Sequence, residues 1–313
     1  MIIDILIRFF PIFALLLIGF ALRKTGILKE EVIGGLKKIT VTVGLPSVLF
    51  MSFLTMEIQT SYLLLFGATF LVCFLLYGTG VLLSKLGICR YPLSPFFFTG
   101  FEFGMVGVAL FTSLFGHENL HYILLIGLSH ELFIWFFYVP LLESKNKGQV
   151  HLGAIIKSFF KSPLIIAILS ALILNISGIY ARIDTNPLSQ AVLASTQILS
   201  GIVTPLILLT IGAMLSFKHI SWKSAVHLIG LRLLVVAIFG TLLALFTARF
   251  VMEINQIMLY AFIIFFLLPP PFIIPVFLGE KYKKENVFYN NLLVLYTPIT
   301  LVLLMIIMFF IGA

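Results

Sequence analysis

The sequence predicts an all-α membrane protein of ten transmembrane helices, a five-plus-five inverted repeat with crossed, discontinuous helices 4 and 9. Three observations carry that expectation. Of 313 residues, 61% are apolar and 10% charged, with a mean hydropathy of +1.18, against roughly 45–50% and about 25% in soluble domains. Apolar runs long enough to cross a hydrocarbon core of about 30 Å recur from one end to the other. Two of these runs, one in each half, are interrupted by glycine or proline clusters near mid-span.

Apolar stretches bounded by polar or Gly/Pro punctuation place the helices at 2–22, 34–55, 61–84, 93–115, 119–142, 154–178, 189–216, 221–249, 255–278 and 286–312. The first begins without a basic n-region or a small-residue cleavage site, so it is expected as a retained span. Asp4, Arg8 and Asn175 fall near span ends and are expected at the interface. The first, third, fifth, seventh and ninth connections, with their flanking turns, carry 5, 2, 4, 2 and 3 Lys or Arg; the second, fourth, sixth and eighth carry 0, 0, 1 and 1. Positive charge marks the cytoplasmic side, so both termini are expected outside a multi-pass protein of the plasma membrane.

Three matches relate residues 1–150 to residues 151–313 within a single membrane domain. Gly19-Phe20-Ala21-Leu22 through Thr25-Gly26-Ile27 resembles Ala171-Leu172-Ile173-Leu174 through Ser177-Gly178-Ile179. Gly44-Leu45-Pro46 resembles Val203-Thr204-Pro205, and Phe115-Gly116 lines up with Leu278-Gly279. An odd number of spans per half makes such a repeat inverted, the common plan of secondary carriers.

The interrupted spans define the candidate site. The fourth carries Gly100, Gly104 and Gly107; the ninth carries Pro269, Pro270 and Pro271. Consecutive prolines remove backbone donors and clash with the preceding turn, so the ninth helix must break. Glycines at 100, 104 and 107 let the fourth helix cross it closely. Half-helix amino ends at such breaks offer N–H groups and positive dipole ends to an anion; as ordinary kinks, they would only bend a packed bundle.

Ionisable residues at mid-membrane are functional candidates, because burying a charge there costs roughly 2.5–3.5 kcal/mol. Glu131 lies some eleven residues into the fifth span and Arg232 some eleven into the eighth, about 16 Å deep at about 1.5 Å per residue. Glu102 reaches a similar depth beside the break. One carboxylate is expected to take a coupling proton or sodium ion, and Arg232 to balance the substrate's charge; the alternative is a buried pair of Arg232 with either glutamate that fixes packing. His130 adds a titratable group next to Glu131. Asn290 and Asn291, early in the tenth span, are suited to coordinating a cation or a carboxylate, or to joining helices.

Other classes find less support. The net charge of +8 lacks the basic face or motif of a nucleic-acid binder. His117-Glu118-Asn119-Leu120-His121 matches the HExxH zinc pattern, but it falls in an expected connection and a catalytic site needs a third protein ligand. A membrane zinc protease therefore remains an alternative, as does a channel, although no selectivity sequence is evident. No catalytic residue, metal site or cofactor is assigned beyond a coupling H+ or Na+. Cys73 and Cys89 form no disulfide framework.

Several of these stretches resemble the auxin efflux carrier family of bacterial and plant transporters: Pro270 to Tyr282 with Ile273, Pro275 and Phe277; Gly44-Leu45-Pro46; Thr204-Pro205-Leu206 with Gly212 and Leu215; and Leu22 to Gly26 with Leu28. The resemblance implies crossed fourth and ninth helices, a mobile domain of spans three to five and eight to ten, and a scaffold of spans one, two, six and seven that mediates a homodimer. It also implies carboxylate substrates, such as dicarboxylic or auxin-like acids. Where the family has Asn and Pro around a glycine, this chain has Glu102 and Ala109 around Gly107. A sodium-coupled symporter of bile-acid type is the alternative within transport.

Overall fold

The computed structural model describes residues 2–57, 59–89, 91, 93–147, 152–180, 186–215, 222–271 and 282–311. All regular structure among them is helical: α1 (Ile2–Lys24), α2 (Glu30–Thr55), α3 (Tyr62–Lys85), the short α4 (Ser94–Phe98), and α5 (Val108–Phe115). Helix α6 runs from His121 to Lys147. There follow α7 (Leu152–Lys161), α8 (Pro163–Ile176), α9 (Pro187–Gly201), α10 (Val203–Met214), α11 (Trp222–Phe250), α12 (Gln256–Leu267) and α13 (Lys283–Ile311). Eight helical segments among the described residues are long and apolar enough to cross a membrane; α8 and α12 are shorter apolar helices at the sixth and ninth expected positions.

The helices are apolar on both faces. On α1, Ile5, Phe9, Ile12 and Leu16 are buried at helical spacing, while Ile3, Leu6, Ile7, Phe10 and Leu17 point outward. A helix that is apolar all round suits burial in protein on one side and lipid on the other.

Prolines set most departures from straight helices. Pro46 and Pro140 each follow a π-helical turn, Thr40–Gly44 and Ile134–Tyr138; widening the ladder there accommodates a residue that has no N–H and crowds the preceding turn. Two expected continuous spans are interrupted. Extended Ser162 separates α7 from α8, whose first residue is Pro163, the helical position that tolerates proline best. A one-residue turn at Ile202 separates α9 from α10, because Pro205 cannot donate to the carbonyl of Gly201.

Packing is tightest where α1 meets α10. A Cβ at Gly19 would stand 2.1 Å from the Leu209 carbonyl oxygen, and one at Gly212 2.1 Å from that of Leu16, so the backbones touch without intervening side chains. Helix α8 packs along the second half of α2. There Asn175 donates to the Phe53 and Met56 carbonyls at 2.9 and 2.7 Å, satisfying helix-end acceptors. Burial concentrates around α4 to α6: 78% of the apolar window in Ser94–Phe115 is buried, against 22% in Pro187–Met214. The core therefore lies at the interrupted helix.

Candidate functional site

The break after α4 begins at Phe98. Thr99 is extended, Gly100 has φ +72°, and the chain re-enters helical geometry through a π-helical turn, Phe103–Gly107, that runs into α5. Helix α12 stops at Leu267, and Leu268 to Pro271 continue without helix. The two unwound stretches meet. The Glu102 N–H donates to the Pro269 carbonyl at 2.8 Å. A Cβ at Gly100 would stand 3.0 Å from the Pro271 ring, and one at Gly107 2.8 Å from Leu268 Cδ1. Gly100 is thus required twice, by its positive φ and by this close approach. Pro269, Pro270 and Pro271 are all buried at the crossing.

Arg232 of α11 pins both stretches. Its side chain is fully buried; Nη2 donates to the carbonyls of Gly100 and Leu268 at 2.8 and 3.2 Å, and Nη1 to that of Phe97. The guanidinium carbon lies 4.9 Å from the centre of the Phe101 ring, within cation–π range. A cation at two carboxyl ends opposes the partial negative charge of both half-helix dipoles. Other side chains complete the set: Tyr138 donates to Phe96 O at 2.9 Å and Thr300 to Leu267 O at 2.7 Å. Thr99 Oγ1 ties the break to α3 through Cys73 O at 2.7 Å.

The amino end opposite is provided for differently. The π turn has no side-chain cap at Glu102, and its first intrahelical bond is Gly107 N–H to Glu102 O. The N–H groups of Gly104, Met105 and Val106 have no helical acceptor by position, and no backbone carbonyl outside the turn accepts from them among the described residues. Gly104 and Met105 are partly exposed. Only Leu45 Cδ1, at 3.8 Å, comes within van der Waals range of a Cβ placed on Gly104. Nearby, Thr112 and Thr204 join hydroxyls at 2.8 Å between α5 and α10. Half-buried Lys37 of α2 interacts electrostatically with Glu102.

His130 of α6 faces the same break. Its Nε2 accepts the Phe101 N–H at 2.8 Å, and its ring sits 5.7, 6.5 and 5.5 Å from the rings of Phe101, Phe103 and Phe265. Glu131 Oε1 lies 3.7 Å from His130 Nδ1.

The structure therefore gathers Glu102, Gly104, Gly107, His130, Glu131, Arg232 and the three prolines around one crossing. Arg232 spends Nη1 and Nη2 on carbonyls, and its buried Nε has no hydrogen-bond partner among the described residues. From α13, Tyr289 and Tyr296 reach Phe97, at ring distances of 6.1 and 6.2 Å; the Asn290 side chain and residues 272–281, with Ile273, Pro275 and Phe277, lie outside the described residues. Asn291 is half-buried on α13. Sequence reasoning did not single out Lys37, Tyr138, Tyr296 or Thr300. His117 and Glu118 are exposed in a turn, and α6 starts only at His121, so the HExxH pattern lacks the helical spacing that aims both imidazoles at one metal. Among the described residues no group of three or more His, Cys, Asp or Glu is placed to hold a metal ion.

The chain matches no protein-family model and no curated protein sequence.

Proposed function

We propose that this chain is a secondary transporter of small organic anions, of the auxin efflux carrier type, working by alternating access in the plasma membrane. One observation carries the proposal. At the crossing, the carboxyl ends of α4 and α12 are satisfied by Arg232, Tyr138 and Thr300, while the N–H groups of Gly104 to Val106 have no backbone acceptor outside their turn among the described residues, and Gly104 and Met105 are partly exposed. With the negative dipole ends balanced and a positive end left open, the field there favours an anion.

A ten-helix inverted repeat is supported by matched packing. The first helix of the first half packs on α10, and α8 packs on α2, the exchange that a two-fold axis in the membrane plane requires. Pro46 and Pro205 each follow a backbone irregularity at equivalent places. Spans one, two, six and seven then form the scaffold. Exposed Gln197, with Leu188, Val192 and Ile198 on the same helix, supports a homodimer through that surface, since an outward amide within a span calls for a partner.

The test is uptake into proteoliposomes. Labelled benzoate and succinate are offered with imposed proton or sodium gradients, expecting saturable entry of at least one that drops sharply in Gly104→Leu, whose side chain would cover the amino end. Entry that rises linearly with concentration, or is untouched by Gly104→Leu, would overturn the assignment.

A further inference from the structure

We propose that His130 is the coupling-proton site, and that protonating its Nε2 releases the Phe101 N–H to the substrate. The inference rests on the anion-transport reading and supplies its coupling step. In the structure Nε2 accepts the Phe101 N–H at 2.8 Å, so the imidazole is neutral and carries its hydrogen on Nδ1, a tautomer assigned from this bond. Nδ1 is buried without a hydrogen-bond partner, 3.7 Å from Glu131 Oε1. A buried donor held short of a carboxylate costs free energy in the neutral state and becomes favourable once the ring is cationic.

The step is a proton transfer and nothing else. A hydronium ion reaching the break gives its proton to the Nε2 lone pair, forming an N–H bond there and leaving a water molecule, while the partly exposed Glu131 carboxylate (side chain 19% accessible) faces Nδ1 and balances the new charge. Nε2 then has no lone pair, and two donors face each other. The Phe101 amide must turn to another acceptor. It lies at the same break as the N–H groups of Gly104 to Val106, which have no backbone acceptor outside their turn among the described residues, so an entering carboxylate gains one more donor and a nearby imidazolium. Proton and anion therefore bind cooperatively, and for a monocarboxylate the pair is neutral.

Away from their ends, the helices packed around the ring carry few other ionisable groups. Glu131 and Tyr138 lie on α6, Cys73 and Tyr77 on α3, Glu102 at the break, Arg232 on α11 and Tyr260 on α12. Arg232 is committed to three carbonyls, and Tyr138 to Phe96 O. Histidine is the side chain whose charge ordinarily changes across the physiological range.

Two measurements decide it. Hydrogen exchange of the detergent-solubilised wild-type protein, corrected for intrinsic rates, reads the Phe101 amide directly: protection is expected to fall about tenfold, one hydrogen bond's worth, between about pH 8 and about pH 5. Uptake of benzoate is expected to show a KM that falls with pH in wild type and is flat in His130→Gln, whose amide oxygen can hold the Phe101 N–H but cannot titrate. Protection that is independent of pH, or a pH-dependent KM retained in His130→Gln, overturns the assignment. If exchange responds to pH as expected while no carboxylate is taken up at any pH, the proton site stands and the transport reading fails.

Discussion

Replacing Arg232 with methionine tests the pin at the crossing. Methionine fills much of the volume but donates nothing, so the carbonyls of Phe97, Gly100 and Leu268 lose their partner in a fully buried place. Each orphaned buried carbonyl costs about 1–3 kcal/mol. Relief of the guanidinium's own desolvation offsets part of the sum, which leaves a loss of about 3 kcal/mol. At about 2–4 °C per kcal/mol for a chain of comparable size, the melting midpoint in detergent should fall by about 6–12 °C. Lysine keeps the charge as a single ammonium and cannot reproduce the planar fork, so Arg232→Lys should lie between the two. Uptake should fall in step with the melting midpoint across the three proteins, since the same bonds hold both breaks. A midpoint within about 2 °C of wild type for Arg232→Met would refute the pin, and with it the claim that the carboxyl ends need a cation.

Two further outcomes follow from packing. Gly212→Ala drives a methyl against the Leu16 carbonyl, backbone against backbone, and should cost about 1–3 kcal/mol; Gly34→Ala, with open space around the added Cβ, should be neutral or slightly stabilising, and equal melting midpoints for the two would contradict the close approach. Both cysteines are buried, and burial pushes the thiol of Cys89, in the connection before α4, above its ordinary value. Since only the thiolate attacks, a hydrophilic maleimide at neutral pH should label the folded protein negligibly and both thiols after denaturation, as read by intact mass.

The legible part of this protein was its one-dimensional pattern. Apolar runs placed the long helices, and the proline cluster at 269–271 the stop of α12, because each depends on residues adjacent in the chain. Arg232 was conspicuous by its depth, but its partners were not: the acceptors are backbone carbonyls 135, 132 and 36 positions away, and every residue has a carbonyl. The bond from Phe101 N–H to His130 was hidden for the same reason. Tyr138, Tyr296 and Thr300 stood inside apolar runs where nothing distinguished them from filler. Lys37 counted as topogenic charge, though it interacts electrostatically with Glu102. The stops at Ser162 and Ile202 had local signals, Ser162-Pro163 and Pro205, that were absorbed into long apolar windows.

The shared guanidinium has a mechanical consequence. Because one side chain grips both unwound stretches and those stretches also grip each other through Glu102 and Pro269, neither can shift by a few ångströms without dragging the other. Cargo and proton would then ride on a single stiff carriage. In the proposed carrier, helices α1 and α10, locked backbone to backbone at Gly19 and Gly212, would serve as the rail, with the sliding seam between rail and carriage.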